Sequence, residues 1–331
     1  MKLGILYEST SGPWGGVNSF FRNFKRYAAR DNRIELKEDV REASIIITDG
    51  RYRGPGKHIS RWQLTNVAKC LRISSPLGFF SEKKKAKLLF RLDGLRQIYA
   101  PLDTLGDTKL ITNLVLADCV VFQSQFGKEC FDKTQIEYPT NYQVILNGAD
   151  EQYFFPAANK NSISRRKLLR LVSNSWSTNH EKGFETIAAF STLDSVEILH
   201  IGRWPNNVHS ENVMLLGVKQ EVEIGNIYRE ADYLLFPSRH DTCPNVVVEA
   251  LACGLPVIYH PSGGTPELCS KERFGLPFDY SGKDRKSLNQ IINLAKNNLS
   301  TITSDVKDNH PFFQFSHCYK LYLDFIDRVI V

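Results

Sequence analysis

Residues Leu234 to Leu268 read LLFPSRHDTCPNVVVEALACGLPVIYHPSGGTPEL, and the order of signals in this stretch decides the fold. The apolar run Tyr233–Phe236 predicts a buried parallel strand, stopped by Pro237-Ser238. A loop carrying Asp241 follows. Val246 to Ala252 then predicts an apolar helix bearing Glu249, Pro256 to His260 a second strand, and Gly263-Gly264 a turn that leads to Glu267. Strand, loop, helix and strand make a βαβ unit, and open α/β sheets bind ligands at the carboxyl ends of their strands. Asp241 and Glu249 stand eight positions apart, one in the loop and one in the helix. A carboxylate accepts two hydroxyl hydrogen bonds at once, which suits the vicinal diols of ribose and hexose if the ligand is a nucleotide sugar. Backbone amides of Cys243, Asn245 and Val246, where the helix starts, would then meet the phosphates. The plainer alternative is that Asp241 caps the helix and Glu249 is a buried acid satisfied by a backbone amide, because an unpaired buried acid is costly.

The segment PSRHDTCPNVVVEALACGLPVI, residues 237–258, resembles the acid-x7-acid signature of family 4 glycosyltransferases, retaining enzymes of the GT-B fold. The resemblance implies an α/β chain of two Rossmann-like domains facing a central cleft, with a C-terminal helix crossing back to the first. It implies ribose for Glu249, the donor sugar for Asp241, and a place in the donor pocket for Glu267 of the Gly-Gly turn. One departure stands out. The first acid of the family is usually Glu, and Asp241 is one methylene shorter, so the sugar sits closer, or the contact is weaker or made through water.

Length and composition agree with two domains. A chain of 331 residues exceeds the usual single core, and 42% hydrophobic with 24% charged residues is a globular balance. The apolar runs are strand-sized, too short to span a membrane. MKLGILYEST enters a strand after one Lys, without a signal-peptide core, so the expected location is cytoplasmic. The seven cysteines are scattered and never spaced CxxC, and read as reduced thiols with no metal site. Net charge is +6, with clusters at Lys83, Lys84, Lys85 and Lys87 and at Arg165, Arg166, Lys167 and Arg170. These read as solvated surfaces, or as attraction to an acidic glycan or to anionic lipid in peripheral contact at the inner face of a membrane. Nucleic acid is not expected, because no basic motif is interleaved with aromatics.

Strand-like runs recur at Leu3–Tyr7, Ser44–Thr48, Lys87–Leu92, Cys119–Gln123 and Gln143–Leu146, then at Leu168–Val172, Ser195–Gly202 and Val213–Leu216. The first is followed by Ser11-Gly12-Pro13-Trp14-Gly15-Gly16 and a helix, Val17–Arg30, whose apolar face is Phe20, Phe21, Phe24 and Tyr27. GxxGG is the wrong spacing for a dinucleotide fingerprint. By resemblance, Gly15 and Gly16 belong to the family's loop over the donor phosphates; without it they are glycines of a tight turn. Ala117–Phe126 resembles a structural strand-then-serine segment, and Val144–Asp150 resembles the family's VxNGVD stretch before the linker. The expected division is 1–153 for the acceptor side, 154–311 for the donor side, and 312–331 for the returning helix.

Ser175–Gly183 follows the first strand of the second half, placing Lys182 where it can reach a diphosphate, or else as a surface lysine. Family 4 enzymes carry an Arg upstream of this Lys. Here Ser or Asn stands in that place, so neutral donors from Ser175, Ser177 or Asn179 would assist Lys182, with Arg203 as a substitute cation. In Phe90-Arg91-Leu92-Asp93-Gly94, Asp93 takes the family's His position near the transferred sugar; it either orients a hydroxyl or serves as a weak base, or it simply makes an Asp-Gly turn. Asp324 and Asp327 form no DxD metal loop, since they fall in the terminal helix.

The resemblance therefore implies a retaining, metal-independent hexosyltransferase without a cofactor. It would move a sugar from a UDP- or GDP-linked donor to a hydroxyl of a glycan or lipid-linked acceptor, as in cell-surface glycan biosynthesis. Two rivals are a GT-B nucleotide-sugar epimerase and a degenerate nucleotide-sugar-binding protein without transfer activity.

Overall fold

The computed structural model describes residues 1–10, 15–69, 86–98, 105–157, 167–209, 211–279 and 284–330. They form two compact units, Met1–Leu146 with Tyr319–Val331, and Asn147–Cys318.

The first unit runs β1 (Lys2–Ile5), α1 (Gly16–Ala28), β2 (Glu35–Lys37), β3 (Ile45–Thr48), β4 (Tyr52–Gly54), β5 (Lys57–His58), α2 (Arg61–Lys69), β6 (Lys87–Leu92), α3 (Leu105–Leu114), β7 (Cys119–Phe122), α4 (Gln125–Lys133) and β8 (Tyr142–Val144). Its sheet is parallel, in the order β2-β1-β3-β6-β7-β8, and β4-β5 is a separate antiparallel hairpin. Ile45-Ile46-Ile47-Thr48 and Cys119-Val120-Val121-Phe122 are buried at every position, as strands covered on both faces must be. One face of the sheet packs Ile46, Phe90, Val120 and Phe122 under Leu110, Leu114 and Phe131. α1 buries Phe20, Phe21 and Phe24 through its helical period. Ser124 accepts from Gly127 N at 2.9 Å and caps α4, a structural role.

The second unit runs β9 (Leu169–Ser175), α5 (Phe184–Phe190), β10 (Val196–Gly202), β11 (Val213–Gly217), α6 (Glu221–Glu230), β12 (Tyr233–Phe236), α7 (Asn245–Ala252), β13 (Val257–Tyr259), α8 (Thr265–Leu268), β14 (Gly275–Pro277), α9 (Arg285–Asn309) and the first turn of α10 (Phe315–Ile330). Its parallel sheet has the order β11-β10-β9-β12-β13-β14. β9 therefore lies between β10 and β12, and the loops leaving these three strands emerge side by side.

The units divide at 146/147, not at 153/154, because the intervening residues are bonded into the second unit. Ala149 N donates to Phe313 O at 2.8 Å, Phe315 N to Ala149 O at 2.7 Å, and Arg229 to Tyr153 O at 3.0 Å. The terminal helix begins at Phe315, after a 3-10 turn over His310–Phe313, and joins the first unit only from Tyr319. There Tyr322 meets Phe20 and Phe24 at 5.1 and 5.5 Å between ring centroids, and Tyr319 meets Phe24 at 5.1 Å.

The basic clusters are described only in part: Lys167 is exposed, and two other members are engaged. Lys87 donates to Val329 O, and Arg170 pairs with Glu197 at 2.7 Å. Lys83, Lys84, Lys85, Arg165 and Arg166 lie outside the described residues, as do Ser11 to Trp14. Among the described residues no helix is long and apolar enough to cross a membrane, and the cysteines are buried and unbridged.

Candidate functional site

In the second unit the site starts from two loops that hold each other. The loop after β9 closes in a 3-10 turn, His180–Lys182, ended by Gly183 with φ +71°. A Cβ on Gly183 would lie 2.8 Å from Pro237, so only glycine lets this turn reach the loop after β12. Arg239 N donates to Glu181 O at 2.9 Å across the same seam. These contacts bring Lys182 to Asp241: the ammonium donates to both carboxylate oxygens, at 2.8 and 2.9 Å, and Ser238 Oγ donates to the same carboxylate. Both side chains remain about a quarter exposed, 27% and 26%.

The Gly263-Gly264 turn supports Asp241 from behind. Gly264 N donates to Asp241 O at 2.8 Å, and Gly263, with φ +69°, has no room for a Cβ. Asn147 secures the other side, donating from Nδ2 to Cys243 O at 3.1 Å and to Asn245 Oδ1 at 2.8 Å. The sequence marked Asn147 only as part of the VxNGVD-like stretch before the linker; its side chain is what fixes the entry to α7.

α7 opens without a side-chain cap, after Pro244. The N–H groups of Asn245 and Val246 have no acceptor among the described residues, which leaves the positive end of the helix able to take an anion. Glu249 lies half-buried in the next turn. Its charge bears on Tyr228, whose hydroxyl burial holds well above its ordinary range and whose oxygen accepts from Asn174 at 3.0 Å. Glu267 sits in α8, half-buried.

The neutral groups expected for phosphate bond within the loop, Ser175 as a donor and Ser177 and Asn179 as acceptors. Ser175 Oγ donates to Ser177 O at 2.6 Å, Ser177 Oγ accepts from Asn179 N at 3.2 Å, and Asn179 Oδ1 accepts from Glu181 N at 3.1 Å. They shape the Lys182 turn, and the Ser177 O–H and the Asn179 Nδ2 amide donate in none of these bonds. Next to this loop, His200 links β9 to β10, with Ser173 Oγ at 2.8 Å and Arg203 O at 3.0 Å. Burial lowers its pKa, so it stands neutral.

The first unit gathers a separate charged group at the carboxyl ends of β3 and β6. Arg51, 1% exposed, donates to Asp93 and, at 2.8 Å, to Gly94 O, and lies 3.8 Å from Asp107. Asp49 accepts from Arg51 N at 3.2 Å and Tyr52 N at 3.0 Å, while its second oxygen is buried with no hydrogen-bond partner among the described residues. Burial pushes the Asp49 carboxyl up to about 6; Asp93 adds to the rise, and Arg51 and Arg91 oppose it. Asp93 thus stands at a turn, ahead of Gly94 with φ +86°, and is held by a buried guanidinium that sequence reading did not single out. Gly15, with φ +84°, caps α1, and both it and Gly16 are exposed. Asp324 and Asp327 are on the exposed face of α10, and among the described residues no three acid, His or Cys side chains gather as metal ligands would.

A family profile, Glycosyl transferases group 1, matches residues 178–297. A 41.2 kDa protein of the cps region of Klebsiella pneumoniae is 23% identical over 185 residues, 51% of this chain and 49% of that protein. A GDP-mannose-dependent alpha-mannosyltransferase of Mycobacterium tuberculosis is 28% identical over 137 residues, 39% of this chain and 36% of its own. The chain spans half or less of the length of these relatives. Among solved structures, Anabaena Alr3699/HepE in complex with UDP superposes with a TM-score of 0.70 at 16% identity, covering 99% of this chain and 100% of that one.

Proposed function

For a chain that has the GT-B fold and carries a glycosyl transferases group 1 domain over residues 178–297, we propose transfer of a sugar from a nucleoside diphosphate donor to a hydroxyl of a glycan or lipid-linked acceptor. We read the reaction as retaining and independent of metal. Breaking the bond between sugar and diphosphate develops positive charge on the sugar and negative charge on the leaving group, so acceptors around the first and donors or cations at the second are what a site must supply. In this reading the α7 N-terminus receives the diphosphate, Glu249 the ribose and Asp241 the sugar hydroxyls. Lys182 lies between Asp241 and the phosphates, and Glu267 borders the pocket.

The observation that carries the reading is the Lys182–Asp241 pair, held by two interlocked loops beside an uncapped helix start at the carboxyl edge of a parallel sheet. One observation favours the binding-only alternative: Lys182 already has its charge balanced by Asp241.

The test is a thermal-shift screen against UDP, GDP and their common sugar conjugates, repeated with Glu249→Ala. Ligands that bind the native state raise its melting temperature by mass action. A shift with one nucleotide family that disappears in the variant fixes the donor class, and sugar transfer to a supplied acceptor then separates the enzyme from the binder. No shift with any nucleotide removes the site assignment.

A further inference from the structure

We infer that Arg203, held over the ring of Trp176, is a second phosphate-binding cation of the donor site. The inference rests on the donor-site reading above and deepens it. That reading places a diphosphate at the carboxyl edge of β9 and β12, yet Lys182 is there bound to both oxygens of Asp241 and brings little net charge.

Arg203 is the first residue after β10, the neighbour of β9 on the side away from β12. The loop from Trp176 to Lys182 is therefore flanked by Arg203 on one side and Asp241 on the other. The root of Arg203 is firmly set. Gly202 turns with φ +99° so tightly that a Cβ would lie 2.1 Å from Ser175 O, Arg203 N donates to that same oxygen at 2.9 Å, and Arg203 O meets His200 at 3.0 Å. The head is set by Trp176, over whose ring the guanidinium carbon lies 4.2 Å from the centroid. Lying over an indole occupies the face of the guanidinium and spares its N–H fork for a planar pair of oxygens. Among the described residues no carboxylate pairs with it. Phosphate oxygens match that fork. Arg239 also has no carboxylate partner among the described residues, but its charge falls on His260, toward β13.

The experiment is calorimetric titration of wild type, Arg203→Gln, Arg203→Lys, Trp176→Leu and Arg239→Gln with UDP and GDP, and with uridine and guanosine. Unliganded melting curves confirm that each variant folds, and Arg285→Ala, which removes a distant surface cation, controls for net charge. For the diphosphate that wild type binds, Arg203→Gln is expected to weaken affinity by about tenfold or more while leaving the matching nucleoside within about twofold, with Arg203→Lys between the two and Trp176→Leu following Arg203→Gln in direction. Diphosphate affinity unchanged in Arg203→Gln overturns the inference and leaves the donor site standing. So does a loss confined to Arg239→Gln. A wild-type protein that binds neither diphosphate overturns both.

Discussion

Lys182 and Asp241, 59 positions apart, form one two-pronged ion pair, with the ammonium 2.8 and 2.9 Å from the carboxylate oxygens. Partly exposed pairs of this kind contribute about 1 kcal/mol or less to folding once solvent screening is allowed for. Lys182→Ala and Asp241→Ala should each lower the melting temperature slightly, and the double variant by less than their sum, since residues in direct contact do not add. Their ligand responses should diverge. Asp241→Ala frees a cation, so its response to a bare nucleoside diphosphate is kept or rises while the extra response to the sugar conjugate is lost; Lys182→Ala, which leaves the Asp241 carboxylate unpaired, weakens both.

Gly263 is bound to the same carboxylate loop by shape. Its φ is +69° and a Cβ would lie 2.4 Å from Asp241 O. Gly263→Ala should therefore cost roughly 1–3 kcal/mol from backbone strain and push the Asp241 loop outward. Denaturant melts would show the cost. Nucleotide-sugar titration would show donor affinity falling by more than the stability loss explains.

Asp49 should make stability depend on pH in the direction opposite to an acid whose carboxylate is paired in the fold. Its folded pKa of about 6 lies above its unfolded value of about 4. The folded state then holds the proton more tightly. Stability from this group is full below about pH 4, falls as pH rises to about 6, and is level above, a change of about 3 kcal/mol. Asp49→Asn does not titrate and keeps an oxygen for Arg51 N and Tyr52 N. The melting-temperature difference, wild type minus variant, should decline across that window; a flat difference would refute the assignment.

Arg51→Met should be among the most damaging single changes in the first unit. It leaves Asp49 and Asp107 buried without their facing cation and releases Asp93. Removing one partner of a buried charged group costs about 3–5 kcal/mol. Chemical denaturation of the purified variant measures it, and Asp49→Asn added to Arg51→Met should recover part of the loss.

Much of the second sheet was legible because its strands are short apolar runs ended by Pro, Gly or Ser: Tyr233–Phe236 was readable to the residue. Glu35–Lys37 and Gly275–Pro277 were not, being three-residue edge strands with little apolar signal. The 25-residue helix α9 was missed as well, although its Asp284 cap and its Leu288, Ile291, Ile292 and Ala295 spacing were in view. In the candidate site, residue types were readable and partnerships were not. Asp241, Lys182 and Gly263 each stood out, but which loop touches which depends on sheet order, and sheet order is set by pairing between distant segments. Arg51 escaped notice because a lone Arg in a polar stretch carries no periodicity, and only the fold reveals that it is buried.

The return of residues 319–330 to the first unit sets an order on synthesis. Phe20 and Phe24 leave the ribosome early, yet Tyr319 and Tyr322, the rings that cover them, are made nearly three hundred residues later. The second unit is one continuous segment and can close without residues 319–330. The first must wait with one aromatic face uncovered, so a chain stopped before residue 319 is expected to hold a finished second unit joined to an unfinished, adhesive first one.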